Sequence, residues 1–136
     1  MALSFAAATA HALLDAITAR VDAGSAAGFI RIYDGAMPAT ADTALSGNTM
    51  LAELTCSDPS AAAASAKTLT FSAITQDASA DASGTATFFR IVDSDSNVVL
   101  QGDITASGGG GAIEMNTTSI IAGGPIQITN ASFTLA

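Results

Sequence analysis

The segment RIVDSDSNVVLQG, residues 90–102, places Asp93, Asp95 and Asn97 at alternate positions. Oxygen-bearing side chains at that spacing open an EF-hand loop, whose first, third and fifth positions present ligands to calcium. Such a loop also needs a glycine at its sixth position and a bidentate glutamate at its twelfth. Counted from Asp93, those positions hold Val98 and Ile104. Short Asp, Ser and Asn side chains equally hydrogen-bond their own backbone and build hairpin turns. We read residues 93–97 as the tip of a hairpin between FFRIV and VVLQG. Asp93, Asp95 and Asn97 are kept as a weak candidate set for a cation.

Other residue types with chemical potential are few. His11 is the single histidine. It lies in a segment of helical periodicity, no G-x-S-x-G nucleophile signature occurs, and an exposed or interfacial place on a helix is expected. Cys56 is the single cysteine, which excludes an intrachain disulfide and a cysteine-rich metal site. A small buried hydrophobe is expected there. Glu53 and Glu114 form a nominal carboxylate pair, but any two acids do. With no tryptophan and only Tyr33, stacking platforms for sugars are scarce. Asp34-Gly35 and the glycine run 108–111 are not followed by the lysine and hydroxyl residue of a phosphate loop. No enzymatic activity and no cofactor are expected.

The elements that position these residues follow from periodicity. Ala10, Leu13, Leu14, Ile17 and Val21 recur on one face of a helix, with Ser4 as its N-cap and Gly24 as its stop. Asp15, Thr18 and Asp22 fall toward the other side. Beyond Gly24 the period changes to two. GFIRIYDG, TMLAELTCSDP, TLTFSAITQDA, TATFFRIVD, NVVLQGDITAS, AIEMNTTSII and IQITNASFTLA read as strands separated by turn residues. SAAAASAK, residues 60–67, reads as a loop or one short turn, because eight residues are too few for an isolated helix. Residues 36–48 form a long loop expected to order on contact with a neighbour. Residues 108–111 read as a flexible link.

The expected fold is mainly β: an antiparallel β-sandwich or barrel of about seven short strands, preceded by one N-terminal α-helix. A single domain is expected, with residues 1–24 as helix or arm and residues 25–136 as the β-sandwich. Residues 1–24 lack a basic start, and His11 and Asp15 interrupt the apolar run, so they read as a mature helix and not a leader. No stretch approaches the ~18 uninterrupted apolar residues of a membrane helix. Twelve acids against four bases give a net charge of -8, and the bases, Arg20, Arg31, Lys67 and Arg90, are scattered. Neither nucleic acid nor membrane is an expected partner.

FAAATAHALLDAITARVDAG followed by GFIRIYDGAMPAT resembles a family of small structural proteins of tailed bacteriophages and prophages. In that family an N-terminal helix leads into a strand ending in an IYDG…P turn. DASGTATFFRIVDSD and EMNTTSIIAGGPIQIT resemble its later strands. The likeness runs over about residues 5–134, and its motifs are turns and strands. It implies a virion protein whose partners are the major capsid protein or other virion proteins, and copies of itself. An acidic chain is repelled by packaged DNA, so decoration (cement) of the capsid exterior is the expected role. The helix, or an arm unwound from it, would anchor the protein through Leu3, Phe5, Leu13, Leu14 and Ile17. The competing expectation is that this stripe covers the protein's own core. A tail, neck or baseplate component and a soluble glycan- or cation-binding module are the alternative roles.

Overall fold

The computed structural model describes residues 2–136. The helix α1 spans Ala7–Val21 and turns Ala10, Leu14 and Val21 inward. It begins later than Ser4 because residue 5 is committed elsewhere: the Phe5 N–H donates to the Ala136 carbonyl at 2.9 Å. Ala6 takes the N-cap position without a side-chain cap, and Asp22 takes the C-cap. Gly24 therefore lies beyond the helix end. A side chain there would collide with Ser94 of the hairpin tip, so the glycine serves a close approach of two segments.

Nine strands follow: β1 Phe29–Tyr33, β2 Met50–Thr55, β3 Thr68–Thr70, β4 Gly84–Thr85, β5 Phe88–Val92, β6 Val98–Ala106, β7 Ile113–Met115, β8 Ser119–Ile120 and β9 Ile128–Thr134. Seven form one curled sheet in the order β2-β1-β5-β6-β7-β9-β3, a half-barrel, while β4 and β8 pair separately. The mainly β fold with one leading helix is as expected from the sequence. The sheet is mixed, however, and not wholly antiparallel: β6 and β7 run parallel, with Ile104 opposite Ile113 and Ala106 opposite Met115.

That parallel pair explains the glycine run. Parallel neighbours ordinarily need a long crossover, yet only residues 107–112 separate these two. The chain must double back beside β6 within six residues. Gly108 and Gly110 have φ of 86° and 81°, and a Cβ on Gly109 or Gly111 would come within 3 Å of the Thr105 side chain. The run is also pinned, and is not a free link. Gly108 and Gly110 donate to Glu114 Oε2, Gly111 to Thr105 Oγ1, and Ala112 to Asp103 Oδ1.

Two expected strands prove to be composite. Residues 68–78 pair with β9 only through Thr70, and Phe71 N–H still reaches the Ala131 carbonyl. They then cross to the opposite edge, where Ser72 donates to Ser60 and Thr75 to Thr55. This change of partner brings the two edges of the half-barrel together. Residues 112–121 split likewise into β7, in the large sheet, and β8, against β4.

The core lies inside the curl: Ile30 and Ile32 of β1, Leu51, Ala52 and Leu54 of β2, Phe89 and Ile91 of β5, and Ile113 and Met115 of β7, closed by Leu14 and Val21. In β2, alternation predicts Met50, Ala52 and Leu54 on one face. A bulge opposite Ile32 and Tyr33 adds Leu51 to the buried set. All five residues of β5 are buried, against the expected two-sided alternation. Its outer face is covered by residues 36–48, which fold over their own sheet. Arg90 Nη2 donates to the Thr43 carbonyl at 2.6 Å, Gln101 Nε2 to Pro38 at 2.7 Å, and Thr87 Oγ1 to Gly35 at 2.6 Å. Asn48 Nδ2 closes the loop base on the Asp34 and Ala36 carbonyls. The loop is thus held by its own domain, which corrects the expectation that a neighbour orders it.

Candidate functional site

The hairpin tip joins β5 to β6. Asp93 turns inward and accepts from Asp95 N–H and Asn97 N–H on Oδ1, both at 2.9 Å, and from Asn97 Nδ2 on Oδ2 at 3.0 Å. The Asn97 side chain first, then its backbone N–H, hold the Asp93 carboxyl below its ordinary range; Asp95 N–H and the Arg20 charge add to this against the opposing effect of desolvation. Ser96 takes φ of 68°, the left-handed residue of a short hairpin loop. Asp93 is buried while Asp95 and Asn97 are exposed, and Asn97 turns its amide nitrogen, not its oxygen, toward Asp93. Among the described residues, no three His, Cys, Asp or Glu side chains converge as a metal site.

A second arrangement is a polar seam along α1. His11 Nε2 accepts from Lys67 N–H at 3.1 Å, and Asp15 Oδ1 from Ala64 N–H at 2.7 Å. Both Asp22 oxygens accept from Ser60 N–H at 3.1 Å. The helix polar side, expected to face away from the core, therefore receives the backbone donors of residues 60–67. Two buried hydroxyls on this seam, Thr18 Oγ1 and Ser60 Oγ, have no hydrogen-bond partner among the described residues. Cys56 lies close by, and its thiol is pushed up to about 12, chiefly by burial and secondarily by the Asp22 charge. A thiol so placed is almost wholly protonated near neutrality and is a poor nucleophile.

A third arrangement crosses the outer sheet face. Glu53, Arg31, Arg90 and Gln101 stand in register on β2, β1, β5 and β6. Arg31 Nε meets Glu53 Oε2 at 2.7 Å. Arg90 is only 5% exposed and its bonded partners are neutral: Gln101 Oε1 on Nε and the Thr43 carbonyl. The charge is spent on holding the covering loop. Glu53 and Glu114 stand on strands separated by β1, β5 and β6, and each is engaged locally, so the nominal carboxylate pair is not assembled.

The surface carries a groove of about 190 Å³ between residues 70–74 and residues 128–131. It opens where β9 and the chain after β3 part company. The ladder stops at the Phe71–Ala131 bond and resumes at the Asp77–Ile126 bridge. Its lining is Ser, Thr, Asn and apolar side chains, with no ionisable group.

The proposed contact residues divide. Leu14 is buried in the core and Ile17 packs against it. Phe5 is half-buried. Leu3 and Leu13 remain 64% and 46% exposed. The solvent side of α1 is otherwise mainly alanine, with Ala8, Ala12, Ala16 and Ala19 exposed. Sequence reasoning missed the buried Arg90, the groove and the seam. The recurrence of His11, Asp15, Thr18 and Asp22 at helical spacing was the available signal for the last. No helix among the described residues is long and apolar enough to cross a membrane. No protein-family model, curated protein or solved structure matches this chain.

Proposed function

We propose that the protein is a bacteriophage structural protein that decorates the head exterior as a cement protein, anchored by its N-terminal segment and α1. The observation that carries this reading is the outward side of that segment. Leu3 and Leu13 are exposed beside a run of exposed alanines, on a chain whose net charge of -8 otherwise favours solvent. Small side chains let another backbone approach closely, and two leucines supply apolar anchors. The resemblance over residues 5–134 supports the same class. The acidic balance favours a position away from packaged DNA. The partners are then the major capsid protein and copies of this chain.

Cryo-microscopy of intact particles tests the reading. Density for this chain on the capsid exterior, with Leu3 and Leu13 at the contact, is the expected result. Density in the neck, tail or baseplate would keep the structural class and refute decoration. Absence from the particle would refute both.

A further inference from the structure

We propose that Arg90 is the centre of a binding site for one oxyanion group, a phosphate or a carboxylate, on the outer face of the sheet beside residues 36–48. The first support is a buried charge with no counter-charge. Arg90 is 5% exposed. Its acceptors, Gln101 Oε1 at 3.1 Å and the Thr43 carbonyl at 2.6 Å, are both neutral. The chain carries twelve acids, yet the ion pair among the described residues is Arg31 with Glu53, and no carboxylate lies within ion-pair distance of Arg90. Its register partner on β1 is instead a second arginine, Arg31. Like charges directly opposite destabilise a sheet, and buried charges are ordinarily paired. Glu53 neutralises Arg31 through Nε at 2.7 Å and leaves the charge of Arg90 uncompensated. An anion at Arg90 supplies the missing charge.

The second support is the set of donors left over. A guanidinium has five N–H donors in a planar fork. Arg90 uses one on Nε and one on Nη2. Nη1 has no hydrogen-bond partner among the described residues, and it is not one of the fully buried orphan atoms, so it reaches solvent. The end of the guanidinium therefore keeps free donors in the geometry that grips the oxygens of one carboxylate or phosphate. Phe88 and Val92, two residues to either side on β5, are buried, and Tyr33 stacks on Phe88 at 5.3 Å. Apolar neighbours weaken screening and strengthen a charge-assisted hydrogen bond. An opening confined to part of one side chain admits a compact group. The net charge of -8 keeps off a polyanion such as nucleic acid.

Titration of the whole chain with sodium phosphate and, separately, with sodium acetate tests this, at constant ionic strength and near-neutral pH. The arginine Nε–H signals are read by NMR, and the chain has only Arg20, Arg31 and Arg90 to assign. A saturable shift of the Arg90 signal with at least one of the two anions is expected, with Arg20 unmoved. The anion that produces it identifies the group as phosphate or carboxylate. At about ten times its Kd, that anion should raise Tm by about 5 °C in wild type and in Arg20→Gln, and by less than about 1 °C in Arg90→Gln. Arg20 is exposed on α1 and its replacement changes the net charge equally, so it separates a site from general electrostatics. No saturable shift with either anion would overturn the proposal. So would equal shifts at all three arginines, or a gain in Tm that Arg90→Gln retains. The NMR titration uses wild type alone and decides the matter even if Arg90→Gln fails to fold.

Discussion

The turn at Ala66 and Lys67 should be an avoidable weakness. Both residues have positive φ, 52° and 58°. Ser65 and Thr68 exchange reciprocal N–H to carbonyl bonds across them at 3.0 and 2.9 Å. This is the pattern of a two-residue hairpin loop that favours Asn-Gly, because left-handed backbone costs other residues roughly 1–2 kcal/mol apiece. Glycine removes that cost at the second position but returns about 0.5–1 kcal/mol through the freer unfolded chain. Asparagine at the first position recovers a smaller part. The double variant Ala66→Asn/Lys67→Gly should therefore gain about 1 kcal/mol. Unfolding entropy of roughly 2.1 cal/mol/K per residue, over 136 residues, converts this to about 3–4 °C in Tm. The Lys67 contact to His11 uses the backbone N–H and survives the change. Thermal unfolding followed by circular dichroism reads the shift, and Ala66→Val should move Tm the other way. A midpoint unchanged or lowered in the double variant would show that the left-handed pair is not strained and refute the reasoning.

Three further outcomes are expected. Asp22→Ala should lower stability by about 2 kcal/mol, near 7 °C in Tm, because the buried Ser60 N–H loses a charged acceptor, while Asp22→Asn keeps one oxygen and should lose less; equal stability of all three proteins in urea would dismiss the seam. The Cys56 thiol, at about 12, should react with a disulfide reagent at pH 8 more than a thousandfold more slowly than a free cysteine, with its rate following global unfolding across denaturant; rapid labelling of the native protein would contradict its burial. The Asp93 carboxyl has a folded pKa below its ordinary 3.8, so its contribution to the hairpin is complete above that value and disappears as pH falls through the lower folded one. Asp95 and Asn97 amide signals should shift only in that acid range, and Asp93→Asn should abolish the dependence; a transition near neutral pH would argue against it.

The sequence by itself determined the element types wherever one side of an element faces the core. The stripe Ala10, Leu14, Val21 specified the helix and its inward face. The alternation of Ile30 and Ile32, and of Phe89 and Ile91, specified which side chains enter the core. The short polar run 93–97 specified a hairpin tip, since Asp93 needs only near neighbours as donors. These features are local, and side-chain periodicity reports them directly. Tertiary structure alone decided which backbone met which. Periodicity of two says nothing about a strand's direction, so the parallel β6–β7 pair was hidden. It cannot show that residues 68–78 change partner midway, because their side-chain pattern continues while their hydrogen bonds switch edges. Nor can it show burial of Arg90, whose cover arrives from residues 36–48 by way of a carbonyl group that every loop possesses. The partners of the helix's second, polar face were hidden for the same reason, since they are the backbone donors of residues 60–67. In each case the deciding partner is a backbone group, and backbone groups are the same at nearly every position in the sequence.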